Sequence, residues 1–175
     1  EPPGETSRVR RWLRDSGATM RTAAPGDRWT VGAAVLHVLW PQRLIRGEGS
    51  DPNNASVVVR ADLGETSVLL CGDLETAAQE AVLASGQVGP VDVVKVPHHG
   101  SAKQAPAWAT TTRARVALIG VGVDNDYGHP AARTVAGYRA VGSVVGRTDL
   151  DGDLAVVPLE ASDDPDALGL VRRGR

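Results

Sequence analysis

The stretch VDVVKVPHHGS, residues 91–101, holds the pattern that decides the fold: an apolar run followed directly by two histidines, a glycine and a serine. Val91 to Val96 is rich in β-branched residues and predicts a strand. The imidazoles of His98 and His99 diverge, so they cannot both pack into one core face. Two interpretations stay open. Either this is a surface turn in which Ser101 caps a helix, or one ring binds a metal while the other binds substrate or orients the first ring.

The strands on either side of this stretch end in the same way. Residues 66–71 predict a strand that runs into Gly72-Asp73, and residues 115–122 predict another that runs into the polar segment 124–130. In layered α/β folds, the carboxyl ends of strands are the places where loops converge and ligands bind. Three of the four histidines fall at such ends, as does Asp73, so we expect these four side chains to lie within roughly 10 Å of one another at one sheet edge.

Asp73 and His129 each allow a structural and a functional interpretation. Asp73 could cap the following helix, or it could be a carboxylate metal ligand, with Gly72 allowing a close approach of backbone and metal. His129 precedes Pro130 at a predicted helix start, where it could cap the helix or be exposed. Alternatively, the positive end of the helix dipole would keep the imidazole neutral, which suits a phosphate contact or a proton donor.

The order of predicted elements indicates a layered α/β (α+β) fold. A hairpin comes first, and strands then alternate with helices predicted at 74–84, 104–112 and 130–140, before short closing strands. Residues 1–8 are predicted to be a linker, 42–54 an exposed loop, and 159–175 a closing strand and tail. Asn53, Asn54 and Ser56 are interpreted mainly as turn residues.

Composition excludes several classes of function. The 175 residues carry a net charge of −2, so non-specific binding to nucleic acid by charge alone is not expected. The single cysteine, Cys71, excludes a disulfide framework and a zinc site built on cysteines, and its place in an apolar strand predicts a buried, inert thiol. Phe is absent, so Val, Leu and Ala are expected to fill the core.

Five segments, in this order, resemble a known family. They resemble the C-terminal soluble domain of the ComEC competence proteins, which are membrane proteins with many spanning helices that form the DNA uptake channel of transformable bacteria. The resemblance rests on NNASVV at 53–58, LLCGDLE at 69–75, VKVPHHGS at 94–101, DNDYGHP at 124–130 and RTDLDG at 147–152. It implies an αββα sandwich similar to that of the metallo-β-lactamases, with 1–175 as the C-terminal portion of that domain.

The resemblance also implies roles for the residues at the strand ends. Asp73 matches a carboxylate that bridges two metal ions, His98 and His99 match the pair that supplies a late histidine ligand, and His129 matches a residue near the scissile phosphate. The implied cofactor is a pair of divalent ions, zinc or manganese, with no nucleotide cofactor. The family's first motif, His-x-(His/Asp)-x-Asp-His, is absent from the 175 residues and is expected upstream of Glu1.

Two functions follow from the resemblance. The first is a metal-dependent phosphodiesterase or nuclease that acts on DNA at the cell membrane, with the chain alone inactive because it supplies only about two ligands. The alternative is a non-catalytic docking or gating module of the DNA transporter. The implied partners are DNA, the upstream half of the same domain and the membrane channel. Where that half would pack, apolar surface is expected on strands 56–61 and 67–71. An unrelated α/β binding domain is the third possibility.

Overall fold

A computed structural model of the chain describes residues 3–159 and 167–174. In those ranges the strands are β1 (Arg28–Val31), β2 (Ala34–Trp40), β3 (Val58–Leu63), β4 (Thr66–Leu70), β5 (Val93–Lys95), β6 (Val116–Ile119), β7 (Val144–Arg147), β8 (Asp153–Pro158) and β9 (Leu168–Arg173). The helices are α1 (Pro3–Asp15), α2 (Asp51–Asn54), α3 (Thr76–Ala84), α4 (Trp108–Thr112), α5 (Ala132–Ala140) and α6 (Thr148–Asp151), with a 3-10 turn at Pro97–Gly100.

Strands β1 to β7 form one mixed sheet in chain order. The first four strands pair antiparallel, and β4 to β7 pair in parallel, with α3, α4 and α5 in the connections between the parallel strands. This topology confirms the α/β layered fold predicted from the order of elements. It also brings the carboxyl ends of β4, β5 and β6 to the same edge of the sheet.

One face of the sheet is covered by helices. Leu69, Val94 and Ala117 are in register on neighbouring strands, and all three are buried beneath α3, α4 and α5. Among the described residues, Trp40, Trp108 and Tyr138 are the largest side chains that are fully buried. The expectation that Val, Leu and Ala fill the core is therefore incomplete, because three large rings occupy volume that Phe often fills elsewhere.

The opposite face is only partly covered. The β8–β9 hairpin packs over β7, where a Cβ on Gly146 would lie 2.8 Å from a Leu170 methyl group. Over the antiparallel strands this face is mixed: Val38 and Ala61 are buried, whereas Leu63 and Leu70 are 48% and 44% exposed. The apolar surface expected on residues 56–61 and 67–71 is thus present only in part, at Val57 and Leu70. Among the described residues, we find no helix with the length and apolar character needed to cross a bilayer.

Several predicted boundaries are wrong. Residues 3–8 are not a linker, because α1 begins at Pro3 and a Glu5–Arg8 ion pair of 3.2 Å lies across its first turn. Part of the loop at 42–54 is the short helix α2. The last long helix begins at Ala132 rather than Pro130, because Ala131 is still extended at ψ 136°. The closing strand is β9, while residues 160–166 and 175 of the predicted closing segment lie outside the described residues.

Candidate metal and phosphate site

The turn after β5 presents both histidines. His98 and His99 have φ angles of 48° and 52°, so two consecutive residues other than glycine adopt the left-handed conformation. Such a conformation costs about 1–3 kcal/mol per residue and persists only where surrounding contacts hold it. The backbone N–H of His98 donates to the Gly72 carbonyl at 3.0 Å, and that of Ser101 donates to the His98 carbonyl at 2.8 Å. These bonds fix the turn at the end of β4 and β5.

His99 and Asp73 face each other across the sheet edge. His99 Nε2 lies 3.4 Å from Asp73 Oδ1, and both side chains are close to half exposed. The other ring nitrogen, Nδ1, is 2.6 Å from the Gly120 carbonyl. Because a carbonyl can only accept, Nδ1 is the donor, and in the neutral ring Nε2 carries the lone pair. A ring nitrogen that donates to a backbone carbonyl while the other faces a carboxylate is an arrangement typical of histidine metal ligands.

The backbone of Asp73 is fixed by Ser56. Gly72 has a φ of 53°, and a Cβ at this position would lie 2.8 Å from Ser56 Cβ. The Ser56 hydroxyl accepts the Asp73 N–H at 3.0 Å. Gly72 is therefore explained by the close approach of Ser56, not by the approach of a metal. Asp73 does not cap α3, since the N-cap residue of that helix is Glu75, two residues later.

Behind His98 lies Glu75, a carboxylate that sequence reasoning did not assign to the site. Its side chain is only 3% exposed, and its Oε1 lies 3.5 Å from His98 Nδ1. Both carboxylate oxygens accept from Lys103 Nζ at 3.0 Å, and further bonds come from the Ser50 N–H and the Asn53 amide. Burial alone would raise the pKa of Glu75, but these hydrogen bonds hold it below its usual value. The sequence did contain a signal for Glu75, because it lies two residues after Asp73 and directly follows the same strand end.

Asn53 and Asn54 do more than shape a turn. The Asn53 amide donates to Glu75 Oε1 at 3.1 Å, and the Asn54 amide donates to the Glu48 carbonyl at 2.7 Å. The Asn54 carbonyl accepts from the indole of Trp40, also at 2.7 Å. Asn54 is 1% exposed, so the segment interpreted as an exposed loop is instead anchored in the core beside Glu75.

His129 reaches the site from the loop after β6. Its ring lies 5.4 Å from that of His98, in an edge-on arrangement. The approach depends on Gly100, where a Cβ would lie 2.6 Å from Pro130 Cβ. Burial lowers the pKa of His129, the nearby rings of His98 and His99 lower it further, and Asp73 opposes the change. The helix-dipole argument is therefore not needed, because α5 begins three residues later and these neighbours already favour a neutral ring.

The donors at this edge fit part of a metal site. Asp73 and His99 supply an oxygen and a nitrogen at a separation compatible with one ion, with the histidine oriented by a backbone carbonyl. Across residues 3–159 and 167–174, no group of three or more His, Cys, Asp or Glu side chains could hold a metal ion. A catalytic zinc site usually has three protein ligands, so these two donors amount to an incomplete set.

Comparison with known proteins relates the chain to competence proteins. No protein family model matches it. ComE operon protein 3 of Bacillus subtilis is 30% identical over 158 residues, which covers 88% of the chain and 19% of that protein. Recombination protein 2 of Haemophilus influenzae is 33% identical over 82% of the chain and 18% of that protein. Competence protein ComA of Neisseria gonorrhoeae is 32% identical over 59% of the chain and 15% of that protein.

The chain thus spans about a fifth or less of the length of these curated relatives. Among solved structures, a mutant of the CmlA beta-hydroxylase, an enzyme with a metallo-β-lactamase fold, matches with a TM-score of 0.50. It is 15% identical and covers 77% of the chain and 34% of that protein, so this likeness concerns the fold alone. The curated homologues of the chain are thus ComEC-type competence proteins, of which it matches a limited region, and the chain has a metallo-β-lactamase-like fold.

Proposed function

We propose that the chain is the C-terminal portion of a metal-dependent phosphodiesterase domain that acts on DNA during its uptake by a membrane-bound competence protein. The observation that carries the proposal is the pairing of Asp73 Oδ1 with His99 Nε2 at 3.4 Å, with the second His99 nitrogen held by the Gly120 carbonyl. The names of the relatives support a role in competence, and the fold supports the use of divalent metal in general. We propose the cleavage of DNA in addition to what the names and the fold support.

In this proposal the two histidines of the turn have different roles. His99 and Asp73 are the ligands that this chain contributes, because their donor atoms face the same space. His98 Nδ1 lies 3.5 Å from Glu75 Oε1 without a hydrogen bond, and the His98 ring meets that of His129 edge-on, so we assign His98 to positioning His129. A divalent ion bound there, zinc or manganese, would polarise a phosphoryl oxygen and lower the pKa of a water molecule.

His129 acts on the substrate rather than on the metal. Because burial and two histidine neighbours lower its pKa, the ring is neutral near pH 7 and can donate a hydrogen bond from its N–H to a phosphate oxygen, where negative charge develops during the reaction. The remaining metal ligands are assigned to the part of the domain that the relatives share beyond this chain. Binding of metal by the 175 residues alone is accordingly expected to be weak.

The second candidate function is a docking or gating module without catalysis. The specific observation in its favour is the exposed apolar face around Leu63 and Leu70, together with the two-donor site described above. A large exposed apolar patch is typical of a protein interface. The same face also suits the packing of the other half of the domain, so it does not by itself exclude an enzyme.

Substitutions in a protein that carries the whole domain separate these functions. Asp73→Asn keeps the shape but removes a charge, so bound manganese or zinc and plasmid degradation should both fall at least tenfold. His129→Ala should retain metal while turnover falls about 100-fold or more, as for loss of a hydrogen bond that stabilises charge in the transition state. Asp62→Asn, a half-buried carboxylate on β3 that pairs with Arg60, is the matched control and should change neither readout.

Two results would contradict the assignment. Equal loss of metal in Asp73→Asn and His129→Ala would make His129 a ligand. Unaltered turnover in Asp73→Asn would contradict the proposed metal-dependent enzyme and would favour the docking or gating module. Metal content is measured by elemental analysis of the purified variants, and turnover by the loss of intact plasmid.

A further inference from the structure

Tyr127 is an exposed aromatic side chain at the edge of the candidate site. Aromatic residues make up only 3% of the sequence, and the largest buried ones, Trp40, Trp108 and Tyr138, are each 1% exposed. Tyr127 is instead 85% exposed. A tyrosine ring buries a large apolar area when another group packs against it. A ring that is exposed to solvent beside the candidate site therefore indicates a surface on which a ligand can pack.

The loop holds Tyr127 in place. The Tyr127 N–H donates to Asn125 Oδ1 at 2.9 Å, and the Asn125 amide nitrogen donates to the His129 carbonyl at 2.8 Å. One face of the ring lies against His129, with centroids 6.1 Å apart and planes inclined by 28°. The two hydrogen bonds fix the loop, the contact with His129 orients the ring itself, and the rest of the ring is open to solvent.

A cavity of about 320 Å³ adjoins this ring. His99 and His129 line one part of it, and Tyr127, Asp124 and Asp126 line another. Carboxylates repel a phosphate but accept hydrogen bonds from amino groups, as they do from the exocyclic amine of cytosine. An aromatic ring with carboxylates beside it suits a flat heterocycle that carries an amino group, with any attached phosphate on the histidine side.

We propose that Tyr127, Asp124 and Asp126 form a pocket for an unpaired nucleobase whose phosphate lies against His129, and that the pocket prefers bases with an exocyclic amine over thymine. The inference rests on the proposed function, since it gives the base specificity of that same site. Stacking on an aromatic ring requires a base that is free of its pair, so the substrate is a single strand or a frayed end. The carboxylates then distinguish adenine, cytosine and guanine from thymine.

The two tyrosines of the chain make the proposal directly measurable without metal or turnover. In the 175-residue chain with labelled tyrosine, the NMR signals of the Tyr127 ring are followed as dCMP, dTMP or deoxyribose 5-phosphate is added at millimolar concentration. We expect dCMP to shift them at lower concentration than dTMP, and the sugar phosphate to leave them unchanged. Tyr138, which is buried, is the internal control and should not move.

Variants assign the effect to the pocket. Tyr127→Ala should weaken dCMP binding about tenfold, given the usual contribution of base stacking, whereas Tyr127→Phe should retain it. Binding to the alanine variant is followed through the Asp126 backbone amide. The double change Asp124→Ala/Asp126→Ala should make dCMP and dTMP bind equally. Trp12→Ala, at an exposed aromatic ring on α1, is the matched control and should leave binding unchanged.

The outcomes separate this inference from the proposed function. If deoxyribose 5-phosphate shifts Tyr127 as strongly as dCMP, or if no compound shifts it, the base pocket is overturned, and the plasmid and metal assays still decide whether the domain is a phosphodiesterase. If dCMP binds at Tyr127 with the expected preference while Asp73→Asn retains full turnover, the base pocket is supported and the proposed metal-dependent reaction is contradicted.

Discussion

At the scale of the residue, single backbone positions determine which side chains can meet. The left-handed conformations of His98 and His99 separate the two rings, so that one faces Asp73 and the other faces Glu75. Gly72 and Gly100 stand where a Cβ would collide with Ser56 and with Pro130. The site is therefore built by close approaches of a glycine backbone to a neighbouring side chain, and residues without a Cβ make those approaches possible.

The chemistry of Cys71 gives a first test of the core. The thiol is fully buried, and burial raises its pKa to about 12, so almost no thiolate exists near pH 7. We expect a disulfide reagent to leave the native chain unmodified for hours and to modify one thiol per chain in denaturant. Because Cys71 is the single cysteine, the rate of thiol release reports unfolding directly. Rapid modification of the native chain would show that β4 and its helix cover open readily.

At the scale of the element, the short helix α2 and the loop before it anchor Glu75 rather than lying free on the surface. Ser50 caps α2 through its hydroxyl, and its N–H donates to Glu75. Lys103, from the segment after the histidine turn, approaches the same carboxylate from the other side. The buried Glu75 carboxylate thus links three segments that are distant in sequence: the loop around Ser50, the start of α3 and the segment that holds Lys103. Removing one of its partners is costly because a buried charge is then left uncompensated.

Two glycines in that loop provide a matched test of the anchor. Gly49 has a φ of 88°, and a Cβ there would collide with Glu75 Oε2, whereas a Cβ on Gly47, at a φ of 75°, would have nothing within 4 Å. Alanine at either position costs about 1 kcal/mol in backbone strain. Gly49→Ala should lower the free energy of unfolding by about 2 kcal/mol more, because the carboxylate must move from its partners. Urea unfolding of both variants measures the difference, and equal losses would show that Glu75 is not held as described.

At the scale of the whole molecule, one face of the sheet is covered by helices, and the other, the open face, is covered only in part. The three helices bury the first face. On the open face, Val38, Ala61, Val93 and Val116 are buried, and the β8–β9 hairpin packs over β7. The apolar side chains of that face that remain exposed include Leu63 on β3 and Leu70 on β4, the strands that precede the candidate ligand Asp73.

The open face should make the isolated chain self-associate. Leu70→Arg places a charge on this face and should reduce association, seen as a lower average mass in sedimentation at high protein concentration. Leu44→Arg is the control, because Leu44 is 65% exposed in the loop before α2 and lies outside the sheet. If the wild-type chain stays monomeric at every concentration, or if both variants lower the average mass equally, association through this face of the sheet is contradicted.

The sequence by itself determined the class of fold and the place of the site. Strands that end in polar residues can be read from the order of apolar runs and their flanking residues, because parallel strands bring their carboxyl ends to one edge. Only the tertiary structure decided which histidine faces Asp73, that Glu75 and Lys103 lie behind the turn, and that α5 begins at Ala132 rather than Pro130. These facts depend on backbone angles and on contacts between segments distant in the chain, such as Gly49 with Glu75 and Gly100 with Pro130. Local residue patterns carry no information about such contacts, because the space they require is created only when the sheet and its helices pack together.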